Sequence, residues 1–202
     1  MTIIALISQK GGVGKSTLSQ VLASEAQKKK VKVLLADCDP QQASSYQWSQ
    51  IKKKINCQVF SQIKDIWPLS KEYDLIIIDG PARTSQATKE IAEKADLIIQ
   101  PTGASRLDLV PAVKEFNALK EAGISIKKLL FALTRLSTKA EAEASQAYLK
   151  ISGYHYSPII LYEKASYRQT QNEGKSITEV SYKSLKKQAQ KLVNSFLTYL
   201  QI

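Results

Sequence analysis

Short, nearly continuous apolar runs recur along the chain at residues 3–7, 31–36, 75–78, 97–99 and 129–133, built mainly from Ile, Leu, Val and Ala. Strands of this length without polar alternation suit a parallel sheet buried on both faces. Between the runs lie longer stretches with helical periodicity, near residues 15–29, 42–54, 84–94, 108–122 and 139–151. Alternation of this kind predicts an α/β fold, a mostly parallel sheet covered by helices on both faces. From residue 181 to 200, Leu185, Ala189, Leu192, Phe196 and Leu200 recur at spacings of three and four, with Lys183, Lys186, Lys187 and Lys191 elsewhere on the wheel. That stretch predicts an amphipathic terminal helix, whose stripe is expected to cover the sheet. No internal repeat, low-complexity tract or Gly/Ser/Pro-rich linker interrupts the pattern, so one domain is expected over residues 1–202.

Charge narrows the choice of partner. The 202 residues carry 29 Lys and Arg against 18 Asp and Glu, a net charge of +11, which points to polyanions. The lone histidine, His155, sits in the loop-like stretch Ser152-Gly153-Tyr154-His155-Tyr156, and the cysteines are only Cys38 and Cys57. These numbers exclude a disulfide framework, a zinc site, an iron-sulfur cluster and most histidine-based catalysis. No stretch approaches the roughly 18 uninterrupted apolar residues of a membrane span, and Met1 leads into a strand rather than a signal peptide. A cytoplasmic protein is expected.

The chemistry begins where the first strand ends. The stretch Lys10-Gly11-Gly12-Val13-Gly14-Lys15-Ser16-Thr17 stands between a strand and a helix pattern, the context that a P-loop NTPase requires. Gly11, Gly12 and Gly14 allow a tight turn whose amides, with those of Val13 and Thr17, face phosphate oxygens at a helix N-terminus. Lys15 adds a mobile cation for the β- and γ-phosphates, and the Ser16 hydroxyl is placed to ligate Mg²⁺. The strict GxxxxGK[ST] form fails, because Gln9 stands at the first glycine position, and a second lysine, Lys10, lies inside the loop instead.

With that second lysine the chain resembles the deviant Walker A ATPases of the ParA/MinD type. Asp37-Cys38-Asp39-Pro40-Gln41 is similar to the family's water-positioning motif, and Asp79-Gly80-Pro81-Ala82 to its Walker B aspartate and following loop. All three motifs fall at the carboxyl ends of expected strands, where open α/β sheets bind ligands. The resemblance implies ATP and Mg²⁺ as cofactors, with Lys15, Ser16 and Asp79 serving phosphate and metal, and Asp37 supporting the metal shell. It implies that Asp39 orients the attacking water and that Lys10 reaches the nucleotide of a partner in an ATP-dependent homodimer. Capping of the following helix is the alternative for Asp37 and Asp39. Thr134-Arg135-Leu136-Ser137 stands where a GTPase would carry Asn/Thr-Lys-x-Asp, which favours ATP. Arg135 is similar to a family residue beside the adenine, or is an ordinary exposed arginine. Pro101, Thr102 and Asp108 fall where the family lines its nucleotide pocket and dimer seam.

Among such ATPases the chain looks most like the short ParF-type plasmid partition proteins, since a P-loop starting at residue 10 is expected to leave no room for an N-terminal helix-turn-helix domain. That likeness implies sequence-independent binding of duplex DNA, segregation of plasmid or chromosomal DNA or similar cargo, a small centromere-binding adaptor, and association with the nucleoid. One departure is Lys164, standing where relatives carry an arginine before a helix. From residue 102 onward 15 Lys and Arg face 8 Asp and Glu, so Lys164, Arg168, Lys175, Lys183, Lys186, Lys187 and Lys191 are the candidate phosphate contacts. A solvated helix face is the plain alternative for each. The runs Lys28-Lys29-Lys30 and Lys52-Lys53-Lys54 read as cations at helix C-termini. A MinD-like, membrane-cycling regulator of cell-division placement is the second function class, with the terminal helix on lipid, although stable membrane association is not expected. Metabolic relatives such as dethiobiotin synthetase are disfavoured by Lys10.

Overall fold

The computed structural model describes residues 1–81 and 86–200. Ala82 of the Walker B-like stretch, and the start of the helix expected from residue 84, lie outside the described residues. Strands β1 (Thr2–Leu6), β2 (Val33–Asp37), β3 (Cys57–Val59), β4 (Leu75–Asp79), β5 (Leu97–Thr102), β6 (Leu129–Leu136), β7 (His155–Tyr156) and β8 (Leu161–Tyr162) form an eight-stranded sheet. Its order is β3-β2-β4-β1-β5-β6-β7, with β8 also pairing β6, and every pair is parallel. Helices α1 (Lys15–Lys28), α2 (Ser44–Lys52), α3 (Gln86–Lys94), α4 (Arg106–Glu121), α5 (Lys139–Ile151), α6 (Ala165–Asn172) and α7 (Lys183–Tyr199) fill the connections.

The apolar runs divide between two cores because successive side chains of a strand point to opposite faces. Ile3, Ala5 and Ile7 join Ile76, Ile78, Phe116 and Phe131 on one face, while Ile4 and Leu6 join Leu18, Leu22, Ile77 and Phe196 on the other. Ala189, Leu192, Val193 and Phe196 of α7 are buried in that second core, as its apolar stripe predicts. Helix α1 is buried from Leu18 to Ser24, and the segment after α6 reaches its C-terminal end. Thr178 Oγ1 donates to Glu25 Oε1 (2.5 Å) and accepts from Lys28 Nζ (3.1 Å) there.

One expectation needs correction. His155 is not in a loop: with Tyr156 it forms the edge strand β7 beside β6, its ring 5.7 Å from that of Tyr199. Strands β3, β7 and β8 are two or three residues long, too short to show a period, and are held by their neighbours rather than by their own pattern. The expected bounds of the other elements shift by a few residues at most, the largest extensions being β5 to Thr102 and β6 to Leu136.

Candidate functional site

Register brings the motifs together. Leu6 of β1 and Asp37 of β2 both pair with Asp79 of β4, so three neighbouring strands end level and deliver the P-loop and two carboxylates to one edge. Gly80 makes the close exit possible: a side chain there would meet the Leu6 carbonyl at 2.6 Å. Gly12 and Gly14 have φ of 75° and 100°, left-handed values that favour glycine. The loop is braced from outside, where Thr134 Oγ1 donates to the Val13 carbonyl (2.6 Å) and the Arg135 guanidinium donates to that of Gly12.

Between those braces the loop presents donors. The amides from Gly11 to Thr17 make no hydrogen bond within the described residues, and Leu18 N is the first to bond back, to Gly14 O at 3.0 Å. A helix start of this kind stabilises anions. These residues open on a cleft of about 560 Å³ lined also by Lys15, Asp37, Asp39, Asp79, Tyr162 and Gln171. Lys15 is 9% exposed. Burial holds its ammonium below the usual lysine range, with Asp79, Asp39 and Glu115 acting the other way.

The carboxylates differ in their engagements. Asp37 accepts from the amides of Ser45 (2.9 Å) and Tyr46 (3.0 Å) with one oxygen and from that of Asp39 (3.1 Å) with the other. It thereby caps the start of α2, the alternative that the sequence leaves open, and burial raises its pKa. Asp39 accepts from Gln42 N at 3.2 Å, yet remains partly exposed in the cleft. Asp79 is 3% exposed; Oδ2 accepts from the Ser45 hydroxyl (2.7 Å), whereas Oδ1 is buried without a partner among the described residues. Burial pushes its carboxyl up to about 6, against the Ser45 and Ser16 hydroxyls and Lys15. An orphaned carboxylate oxygen near Ser16 fits a hard, oxygen-seeking cation such as Mg²⁺. Among the described residues no group of three or more His, Cys, Asp and Glu side chains could hold a metal ion, so such a cation would draw further ligands from phosphate and water.

Asp79 supplies a prediction for the metal-free protein. Its folded pKa of about 6 exceeds the ordinary 3.8, so the folded state holds the proton more tightly than the unfolded chain. Stability therefore falls as pH rises from about 4 to 6, by at most about 3 kcal/mol for two pKa units. Asp79→Asn removes the buried charge and should raise the melting temperature at pH 8, with the gain closing between pH 6 and 4. An equal or lower melting temperature at pH 8 would contradict that account.

The remaining candidates are dispersed. Lys10 pairs with Asp108 of α4, whose other oxygen accepts from Ser105 Oγ at 2.7 Å. Burial acts to raise the Asp108 carboxyl, but Lys10 and Ser105 hold it below the usual range. Both residues border a second cavity of about 370 Å³, which shares Gly11 and Gly12 with the cleft. Arg135, at φ 59°, borders both cavities; its Nε donates to Glu163 (3.0 Å), which also takes Arg168. Lys164 and Arg168, expected on a DNA-facing patch, line the nucleotide-sized cleft. Lys175 pairs with Glu173 at 2.7 Å, and Lys183, Lys186, Lys187 and Lys191 are exposed along α7. Pro101 and Thr102 are buried at the end of β5.

Some residues of the site carry no sequence signal. Glu163 joins two arginines, Ser45 ties α2 to Asp79, and Gln171 Nε2 donates to Thr17 Oγ1 (3.2 Å) and Gln20 Oε1 (2.7 Å). Glu115, buried on α4, accepts from the Gln9 amide (3.2 Å) and from Gln100 (2.6 Å), a brace beneath the loop.

Known proteins resemble the chain in the same parts. Residues 1–67 match the family model described as AAA domain and residues 45–115 that of ATPase MipZ. Maintenance of carboxysome distribution protein A of Gloeobacter kilaueensis is 30% identical over 156 residues, covering 72% of this chain and 68% of that protein. Protein ParA of Rhizobium radiobacter is 27% identical over 60% of this chain and 57% of its own length. An uncharacterized protein of Borreliella burgdorferi is 60% identical over 59% of this chain and 42% of its own length. Among solved structures, the MinC:MinD cell division protein complex of Aquifex aeolicus superposes with a TM-score of 0.79 at 15% identity, covering 98% of this chain and 96% of that one. A putative plasmid partition protein of Borrelia burgdorferi bound to AMPPNP gives 0.70 at 19% identity, covering 98% of both chains. The structural likenesses show the fold; the identity to the carboxysome distribution protein extends over more than two thirds of both sequences, and the chain belongs to the ParA/MinD-type ATPases.

Proposed function

We propose that the chain is a partition ATPase, closest in kind to the short ParF-type proteins, that dimerises on ATP, binds duplex DNA without sequence preference and moves plasmid, chromosomal or similar cargo through a small adaptor. The observation that carries this reading is the double-faced P-loop. Lys15 lies in the cleft among the unpaired amides, while Lys10, 45% exposed in its side chain, lines not that cleft but the second cavity beside it. A loop that needed only its own nucleotide would have no duty for that second lysine.

Placement supports a role for each of these residues. The Gly11 to Thr17 amides and Lys15 bind the triphosphate and balance its charge. Asp39 sits close enough to Lys15 to perturb it, and is the carboxylate with room to hold a water against the γ-phosphate. Ser16 and the free oxygen of Asp79 would hold Mg²⁺, with Asp37 fixing the strand end beside them. When bound, Mg²⁺ supplies charge neutralisation between the β- and γ-phosphates. Arg135 and Asp108 flank the loop toward the base and the dimer seam, and Lys10 crosses that seam.

The basic surface of the ATP-bound dimer would hold DNA, keeping the protein at the nucleoid, and hydrolysis would release it. Replacing Lys186 and Lys187 together by Ala should weaken binding on every DNA sequence alike and flatten the salt dependence, by roughly 0.9 in logarithmic slope for each phosphate left without its lysine. Unchanged binding would remove α7 from the DNA surface. The membrane reading is weaker, because the apolar stripe of α7 is buried in the core. No described helix is long and apolar enough to cross a membrane. The discriminating experiment compares ATP-loaded protein on random-sequence DNA and on anionic liposomes across a salt series. Liposome binding with no DNA shift would overturn the partition reading, and a preference for one DNA sequence would refute the non-specific mechanism.

A further inference from the structure

The two lysine runs that the sequence assigns to separate helix ends meet in space. Gln27 of α1 donates a side-chain hydrogen bond to the Lys54 carbonyl, beyond the end of α2, so the C-termini of the two helices lie side by side. The segment after α6 closes over the same corner. A side chain at Gly174 would meet Ile51 Cβ at 2.6 Å and Lys52 Cγ at 3.0 Å, and Trp48 Nε1 donates to the Lys175 carbonyl (3.3 Å). Lys28, Lys29, Lys30, Lys52, Lys53 and Lys54 are all exposed there.

Little on the surface neutralises them. Glu25 is taken by Lys28, Glu173 by Lys175, and Glu179 accepts from Ser176 N (2.8 Å). Lys29, Lys30, Lys52, Lys53 and Lys54 form no ion pair with any described residue. Lys52 is attracted to Glu173 without pairing with it, which leaves most of the positive charge on this corner available to a polyanion.

The backbone points the same way independently of charge. Lys30 has φ 63° and Lys53 has φ 50°, left-handed conformations just past the ends of α1 and α2. Glycine is the usual residue there, because a Cβ in this region costs roughly 1–2 kcal/mol. Helix-terminal attraction needs a cation in the last turn, and Lys28 and Lys52 already provide it. A capping role therefore does not explain lysine at the two strained positions, whereas a need for charge does.

The corner also lies away from the nucleotide. Helix α1 starts at the P-loop, and its 14 residues span about 21 Å at 1.5 Å per residue, so its end remains free while the cleft is filled. Ile51, 53% exposed, is the large apolar side chain beside the two runs. An interfacial lipid site would call for a broad apolar face; a lysine cluster with one exposed isoleucine suits a phosphate backbone.

We propose that residues 28–30 and 52–54 form a second phosphate-binding surface for duplex DNA, on the edge of the sheet opposite the nucleotide cleft and separate from the α7 lysines. This rests on the DNA-binding reading of the function. Charge and structure can be separated at Lys30 and Lys53, since glycine removes the cation and relieves the left-handed strain together. The test is Lys30→Gly/Lys53→Gly, read by thermal melting and by binding to a random-sequence duplex with AMPPNP across a salt series, beside Lys186→Ala/Lys187→Ala and vesicles of phosphatidylserine and phosphatidylcholine. The expected result is a raised melting temperature with weaker DNA binding and a logarithmic salt slope smaller by up to about 1.8, the equivalent of two phosphates. An unchanged affinity and slope while the α7 variant loses both would overturn the second surface and leave the DNA reading intact. No DNA binding by the unsubstituted protein would overturn both. Loss of vesicle binding with DNA binding unchanged would assign the corner to lipid and overturn the proposal.

Discussion

Asp39→Ala should stop ATP turnover, by about 10²-fold or more, while ATP affinity measured by titration changes less than about threefold. Asp39 differs from its neighbours in how little holds it. Asp37 has both oxygens on backbone amides, and Asp79, 3% exposed, holds Ser45 with one oxygen and keeps the other buried beside Ser16, where a cation would take it. Asp39 accepts one amide hydrogen bond, from Gln42, and faces the cleft. A group in that position acts on the attacking water, which gains charge sensitivity only as the transition state forms. Lys15→Ala is the control with the opposite signature, since an ammonium among phosphate-facing amides contributes to ground-state binding as well. Equal loss of ATP affinity in both variants would make Asp39 a ligand rather than a catalyst.

Lys10→Ala should remain monomeric with ATP under conditions in which the unsubstituted protein dimerises. Lys10 has an amide bonded to Ser8 Oγ (3.1 Å) and a side chain paired with Asp108, and neither contact touches the cleft that holds Lys15. Its charge is therefore spare with respect to its own nucleotide. Two triphosphates facing each other across a seam would accumulate negative charge, which a lysine from each chain would offset. The pair with Asp108 is partly exposed and worth on the order of 1 kcal/mol or less, so exchanging it for a phosphate is not a barrier. Light scattering is the direct readout, and a dimer of normal mass would show that Lys10 has no role across the seam.

The parts of the fold readable from the sequence were those whose physics is local. Ile76, Ile77 and Ile78 announce a strand buried on both faces whatever surrounds them, and the glycines and lysines of the loop announce a phosphate cradle between a strand and a helix. Strand β8 could not be read that way, because Leu161 and Tyr162 are ordered by pairing with Thr134 and Leu136, far back in the sequence. Glu163 follows immediately, and its hold on Arg135 and Arg168 exists only because that pairing places it over the loop. The same holds for Glu115, whose bond to the Gln9 amide spans 106 positions. The lysine runs show the reverse error. Each is explained locally by a helix end, and only the Gln27 to Lys54 contact reveals that they share one corner.

The nucleotide state is expected to set both the oligomeric mass and the hold on DNA. Sedimentation velocity of the full chain with a short random-sequence duplex, run in parallel with AMPPNP, with ADP and without nucleotide, measures both in one experiment. A monomer off DNA is expected with ADP or no nucleotide, and a dimer on the duplex with AMPPNP alone. The same mass and the same DNA occupancy in all three states would contradict that expectation.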